Sequence, residues 1–526
     1  MREKVEGLSK SLKLLVKTSF IVLIGVIISK LLGYTYRIII ARYYGPEVYG
    51  LFVLALMVSG WFTAISALGL SDGLLRFVAL YRGKNENEKV RYLLSLSINI
   101  LLITSILSGF LLFALSDYIS ITFFHSLELI IYLRIFSIAV PITIMGSVFI
   151  SVIKSHEEIA WVSFLYNVAQ NIVKVFTLWM LIVIGFNSGA VALSYVIGLG
   201  SIFIGSYIVC RYKLPHVFGK TKLPHDERIL LRREILNYSI PMLFFAIVST
   251  MFYWIDSFSL GYYKGVIEVG LYNSAVPIAV ILGIVPELFM QLFFPLITRE
   301  YAKSKIGLIE QLSKQVAKWI LLVNLPIFAI MIVFPGALIR IFFGTEYLLA
   351  ENALRILSIS ALFSSIFIVS NQLISMIGKS KLILINITIA SLINLLLNAI
   401  LVPMENIGFI DNANGLSGAA IATLISVLIF NMLFMIQSYK YLKIIPVRRK
   451  MINLFVIAAL STGMLAYLRT IWGSNDLMTL AILLATFLFV YVALVLLTGA
   501  LDENDRKIMQ TIWDKALFWR KANSKE

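Results

Sequence analysis

The chain has 526 residues, 60% of them hydrophobic and 14% charged, with a formal net charge of +17. A soluble protein of average make-up carries about 25% charged residues, so this composition excludes a soluble globular domain and requires a bilayer. Cys210 is the only cysteine, which excludes an intramolecular disulfide and a thiolate metal cluster.

In chain order, residues 1–17 form a cytoplasmic amphipathic segment, in which Gly7–Lys17 alternates Leu and Lys at helical spacing and reads as a helix on the membrane surface. Apolar runs follow, each near the roughly 20 residues that cross a bilayer as a helix. They cover about 14 spans: 18–40, 48–70, 93–115, 130–153, 159–184, 190–210, 238–261, 270–294, 317–340, 352–377, 382–402, 417–437, 451–469 and 477–498. The segment 211–237 is rich in Lys, Arg, Pro and His and reads as a cytoplasmic linker, with an interfacial helix at Glu227–Leu236. Residues 499–526 are a cytoplasmic tail, amphipathic at Ile508–Trp519. No loop has room for a sizeable soluble domain. His125, His156, His216 and His225 sit in or beside loops at no metal-ligand spacing, and there is no P-loop, nucleophile elbow or HExxH. Nothing here invites an enzyme, a cofactor or a nucleic-acid partner.

The basic residues set the sidedness. Most of the chain's 45 Lys and Arg fall in the loops on the N-terminal side, while the opposite loops hold only Arg42, Lys264 and Arg469. Positive loops mark the cytoplasm, and an even span count puts both termini there. The surplus charge is therefore mostly a topology signal, as expected of a multi-pass protein of the plasma membrane.

The chain also repeats itself. Tyr43-Tyr44-Gly45-Pro46-Glu47-Val48-Tyr49-Gly50 returns as Tyr262-Tyr263-Lys264-Gly265-Val266-Ile267-Glu268-Val269-Gly270, and Leu133-Arg134-Ile135 returns as Leu354-Arg355-Ile356. The spacing of about 220 residues is far longer than a solenoid repeat. The expected fold is an all-α polytopic bundle. It has an N-lobe (18–210) and a C-lobe (238–437), six spans each and related as parallel repeats, plus two extra spans at 451–498.

Several charges fall inside spans, where one at the bilayer centre costs roughly 2.5–3.5 kcal/mol. Lys30 and Arg37 lie seven residues apart in the first span, about two turns, and so share a face. Lys174 is near the middle of the fifth. Arg134 and Arg355 are equivalent in the repeat and lie near span ends, where either could instead snorkel to headgroups, the reading that also suits Arg340. Asp256 is the repeat equivalent of Arg37, with a structural ion pair between them as the alternative reading, and Glu287 follows Pro286. Cations outnumber anions, so a cavity lined by these residues attracts an anion. Candidate headgroup-binding residues are Lys30, Arg37, Lys174, Arg134 and Arg355. Asp256 and Glu287 are the candidates for ion coupling or gating.

The stretch Ala41-Arg42-Tyr43-Tyr44-Gly45-Pro46-Glu47-Val48-Tyr49-Gly50-Leu51-Phe52 resembles the end-of-first-helix signature of polysaccharide-type flippases of the multidrug/oligosaccharidyl-lipid/polysaccharide exporter superfamily. Leu354-Arg355-Ile356-Leu357, Gly378-Lys379 and Asp256 followed by Leu260-Gly261 fit the same family. The resemblance implies a V-shaped pair of six-helix lobes around a central cavity. It also implies translocation of a polyprenyl-linked (pyro)phosphate oligosaccharide to the outer leaflet by alternating access, for surface polysaccharide or glycan assembly. The implied partners are membrane lipid, the lipid-linked oligosaccharide, and glycosyltransferases or a polymerase of the same pathway. In that reading the cations escort the phosphate, and Asp256 exchanges a pair with Arg37. Coupling to Na⁺ or H⁺ stays open. So do three alternatives: a lipid II-type peptidoglycan-precursor flippase, a cation-coupled multidrug antiporter and a non-transporting scaffold.

Overall fold

A computed structural model describes residues 2–219, 221–407, 410–411, 415–472 and 477–498. The amphipathic tail expected at Ile508–Trp519 lies outside these residues. The described helices are α1 (Arg2–Ser66), α2 (Leu70–Gly83), α3 (Asn87–Tyr118), α4 (Glu128–Ser155), α5 (Ile159–Ser163), α6 (Gln170–Val183), α7 (Gly189–Lys213), α8 (His225–Tyr263), α9 (Val266–Val280), α10 (Ile284–Ala302), α11 (Ile306–Val333), α12 (Pro335–Phe342), α13 (Glu351–Met376), α14 (Ser380–Leu401), α15 (Leu416–Leu442), α16 (Arg449–Trp472) and α17 (Leu477–Leu497). Strands are confined to a two-residue ribbon, Asn406–Ile407 antiparallel to Ile410–Asp411, which an all-helical reading did not anticipate.

Among the described residues, 13 helical stretches are long and apolar enough to cross a membrane. The first, Ile28–Ser66, overlaps both of the first two expected spans, and each of the other twelve expected spans overlaps one of the remaining stretches. The protein is a multi-span membrane protein. The junction inside α1 is chemical in origin. Gly45 takes φ 82° and ψ −179°, a conformation open to glycine, and Pro46 behind it has no N–H for the helix ladder. In the second copy the junction is wider: α8 ends at Tyr263, Lys264 and Gly265 intervene with φ +122° at the glycine, and α9 begins at Val266.

The two copies of this motif pack backbone to backbone. A Cβ at Gly50 would lie 1.9 Å from the Val266 carbonyl oxygen, and one at Gly270 would lie 2.0 Å from the Pro46 carbonyl oxygen. Pro46 and Val266 are equivalent in the repeat, as are Gly50 and Gly270. The contact is therefore reciprocal, as a local two-fold axis requires.

The chain forms two compact units, one of residues 1–278, 339–360 and 379–433, the other of 279–338, 361–378 and 434–526. In the first unit α4 packs on α1, α3 and α7, α6 on α7, and α8 on α1, α2 and α14. In the second, α11 packs on α10, α16 and α17 over a core of Ala329, Val333, Phe334, Leu465, Leu480, Leu483 and Phe487. Pro286 has no N–H for the Leu282 carbonyl four residues back, a group that would otherwise be orphaned in the apolar interior. The side-chain amide of Asn324 donates to that carbonyl at 2.8 Å.

The interfacial helix expected at Glu227–Leu236 is not a separate element. It is the first part of α8, which runs unbroken from His225 to Tyr263. No helix breaker precedes Pro241, and α2 holds this stretch in line: Tyr81 donates to Glu234 at 2.9 Å, and the Arg76 guanidinium lies 4.4 Å over the Tyr238 ring.

The three basic residues on the side poor in positive charge share one use. Arg42 donates to the carbonyls of Arg340, Ile341 and Phe342 at the end of α12. Lys264 donates to the Pro403 carbonyl at 3.4 Å, just past α14. Arg469 donates to the carbonyl of Val333, the last residue of α11, and lies 5.5 Å over the Phe334 ring. Arg42 and Arg469 satisfy orphan carbonyls at a helix C-terminus, where the macrodipole favours positive charge, and Lys264 binds the turn that follows one. Replacing Arg42 with Ala is expected to lower stability by about 1 kcal/mol, read as a small drop in Tm of the purified protein, and Arg42→Lys is expected to recover only part of it.

Candidate functional site

The cationic site grows out of a defect in the fifth span. Between α5 and α6 the helix widens into a π-helical segment, Phe164–Ala169, of a kind often found at functional sites. Just beyond it Asn171 and Lys174 lie on one face. Lys174 is only 8% exposed. Its ammonium donates to Asn171 Oδ1 at 3.0 Å and lies 4.8 Å from the ring centroid of Tyr36 and 5.5 Å from that of Tyr195. Asn171 in turn donates to Ser29 Oγ at 3.2 Å, which ties the cluster to α1. Tyr36 is fixed by donating to the Val191 carbonyl on α7 at 2.8 Å.

Arg37 is the next residue along α1. Its guanidinium donates to Tyr49 Oη at 3.3 Å, and Tyr49 donates to the Asn273 carbonyl on α9 at 3.0 Å. Arg37 is close enough for its charge to act on Lys174. Among the described residues, neither cation forms an ion pair with a carboxylate. Two like charges that repel each other are thus held inside the bundle by hydroxyl, amide and aromatic groups, which leaves a net attraction for an anion. Lys30 is half-buried on the same helix.

The other candidates lie elsewhere. Arg134 on α4 is half exposed and pairs with Asp117 on α3 at 2.9 Å. Arg355, its repeat equivalent, reaches back along its own helix to Glu351 at 2.5 Å and to Asn352 Oδ1 at 2.8 Å. Glu287 is exposed on α10 in the second unit. Asp256 and Arg37 are not paired. The Asp256 carboxylate accepts from Tyr272 Oη at 2.6 Å, from Asn398 Nδ2 at 2.9 Å and from the Thr423 hydroxyl. Asn398 Nδ2 also donates to Asn394 Oδ1 at 3.0 Å, and Asn398 Oδ1 is buried without a hydrogen-bond partner. A single carboxylate is therefore held by hydroxyl and amide donors, with the buried Asn398 Oδ1 beside it still free to accept.

A cavity of about 430 Å³ opens in the first unit beside the cationic cluster. Its walls carry Ser59, Thr63 and Ser71, Thr143 and Ser147 on α4, Thr250 on α8, and the aromatic rings of Phe136 and Tyr195. Tyr195 links the two features, since it lines the cavity and also stacks against Lys174. Among its described lining residues there is no Asp, Glu, Lys, Arg or His.

Charge alone drew attention to Lys174, Arg37 and Asp256, but not to the neutral groups that hold them. Tyr36, Asn171 and Tyr195 around Lys174 went unremarked, as did Tyr272, Asn394, Asn398 and Thr423 around Asp256. One signal was available: Asn167 with Asn171 and Asn394 with Asn398 are four apart in apolar spans, so each pair stacks polar amides on one helix face.

A solved structure of a lipid II flippase MurJ in an inward closed conformation superposes with a TM-score of 0.70 at 16% sequence identity, over 90% of this chain and 98% of that one. Residues 15–301, more than half of the chain, match the family described as polysaccharide biosynthesis protein, and residues 241–400 match the MatE family. The chain belongs to the polysaccharide biosynthesis protein family. It is 24% identical over 427 residues to a Shigella flexneri protein named "Putative O-antigen transporter", covering 79% of this chain and 95% of that one. It is 22% identical over 432 residues to the lipid II flippase MurJ of Bacillus subtilis (strain 168), covering 74% and 78%.

Proposed function

We propose that the protein is a flippase, not an enzyme, which carries a polyprenyl-linked (pyro)phosphate oligosaccharide from the cytoplasmic to the outer leaflet of the plasma membrane. The observation that carries this reading is the pair of interior cations, Arg37 and Lys174, held by neutral groups with no carboxylate partner among the described residues. A phosphate or pyrophosphate supplies the missing negative charge, and a guanidinium and an ammonium suit its oxygens. The family supports the same class of cargo. An interior biased toward cations argues against a carrier of cationic drugs.

In the mechanism, lobes 18–210 and 238–437 rock about the site with both termini in the cytoplasm. Arg37 and Lys174 hold the headgroup phosphate while the lipid tail stays in the bilayer. Lys30 lies on the same helix two turns from Arg37 and extends the cationic path. Arg134 and Arg355, each paired with a carboxylate, act at the mouth. An inside-negative potential favours outward movement of the anionic headgroup by roughly 2.3 kcal/mol per charge per 100 mV. Asp256, buried among Tyr272, Asn398 and Thr423, is the first candidate for coupling Na⁺ or H⁺ to the cycle, and Glu287 is the second. The pathway partners are the glycosyltransferases or polymerase that make and use the lipid-linked glycan.

The test is reconstitution in liposomes with a polyprenyl-pyrophosphate oligosaccharide in one leaflet. Wild-type protein is expected to move it across, and Arg37→Ala to reduce crossing at least tenfold without loss of the folded protein. Absence of crossing by wild type, over several lipid-linked glycans and with ion gradients applied, refutes the reading. Cation-dependent drug efflux lost on Asp256→Asn would replace it with an antiporter.

A further inference from the structure

The cavity beside the cations has a chemistry of its own. The Ser59 hydroxyl donates to the Leu56 carbonyl at 3.2 Å, Thr63 to the Ser59 carbonyl at 2.8 Å and Ser147 to the Ile144 carbonyl at 2.7 Å. Ser71 and Ser147 are 2.8 Å apart, and with the Ser147 proton committed, Ser71 is the donor of that pair. Each of these hydroxyls has given its single proton to the protein and turns only lone pairs to the space. Thr143, Thr250 and Tyr195 make no side-chain hydrogen bond among the described residues, so theirs are the hydroxyls with a proton left to give. The wall therefore offers more acceptors than free donors and carries no charge, with the rings of Phe136 and Tyr195 between them.

Such a surface discriminates by charge. A carboxylate is an acceptor without a proton to offer, and it would face lone pairs. A free ammonium would lack a counter-ion, and an unpaired charge taken out of water is strongly disfavoured. A neutral sugar ring meets neither penalty. Its hydroxyls, or an acetamido N–H, donate to Ser59, Thr63 and Ser147, and its C–H face lies on the aromatic rings. About 430 Å³ is within the usual range of small-molecule pockets, roughly 300–1,000 Å³.

We propose that this cavity is the subsite for the sugar next to the phosphate, and that it takes an uncharged hexose or N-acetylhexosamine unit while excluding sugars with a free carboxylate or amine. The proposal rests on the flippase reading, with Tyr195 as the boundary between the anion at Arg37 and Lys174 and the neutral unit in the cavity. It also sets this protein apart from a carrier whose cargo bears charged groups close to the phosphate.

The test uses the full-length protein in proteoliposomes and two synthetic polyprenyl-pyrophosphate disaccharides that differ only in the first sugar, one a neutral hexose and the other the matching uronic acid. The neutral compound is expected to cross at least tenfold faster. Equal rates for the two overturn the proposal and leave the flippase reading standing. Crossing by neither brings down both. The combined Thr63→Val, Thr143→Val and Thr250→Val change removes hydroxyls at nearly constant volume and is expected to slow the neutral compound at least tenfold. An unchanged rate in that variant also overturns the proposal. Should the triple variant fail to fold, the comparison of the two compounds on the wild-type protein decides alone.

Discussion

Gly270→Ala is expected to be among the most damaging single-methyl changes in this protein. The added carbon would sit 2.0 Å from the Pro46 carbonyl oxygen, and the equivalent change at Gly50 would sit 1.9 Å from that of Val266. Both obstacles are backbone, so no side chain can swing away, and the two copies of the motif must separate. Overpacking of this kind costs about 1–3 kcal/mol or more. The expected result is a clear drop in Tm for either variant, together with reduced crossing of the lipid-linked glycan. Gly463→Ala is the control, because a Cβ there meets nothing within 4 Å. If Gly270→Ala melts with the wild type, the close approach of the two motifs is not a feature of the protein in its membrane.

The second large effect is at Asp256. Its carboxylate is the acceptor for Tyr272, Asn398 and Thr423, all packed inside the first unit. Asp256→Ala leaves these donors without an acceptor, at about 1–3 kcal/mol for each group that finds no other partner. That variant is expected to be hard to isolate folded. Asp256→Asn keeps the volume and one oxygen, so it is expected to fold with a modest loss of Tm while its charge is gone. If Asp256 couples an ion to transport, the Asn variant loses the response of crossing to a Na⁺ or pH gradient and keeps the response to membrane potential. Retention of the full gradient response would remove Asp256 from that role.

How much of the molecule was legible beforehand depends on the range of the interaction concerned. The helices were legible because crossing a bilayer demands long apolar runs, and those runs are local. The repeat was legible because both copies keep the Tyr-Tyr pair and the two glycines, Gly45 with Gly50 and Gly265 with Gly270. The helix at Glu227–Leu236 was legible but its continuation into the next span was not, since nothing in that stretch states whether a surface helix stops or runs on; the contacts of Tyr81 and Arg76 lie elsewhere in the chain. For Arg37 and Asp256 the repeat suggested a pair, but equivalence in a repeat fixes which positions correspond, not which side chains meet.

The sequence by itself determined that this is a multi-span membrane protein, with its positive loops gathered on one side and a few charges left in the spans. It did so through composition and periodicity, which report on solvent and need no knowledge of neighbours. The tertiary structure alone decided which charges stand together. Lys174 is joined to Tyr36 and Tyr195, Asp256 is enclosed by Asn398 and Thr423, and Arg42 caps a helix some 300 residues further on. Hydrogen bonds and ring contacts act over a few ångströms, and only the packed chain brings such distant residues within that reach.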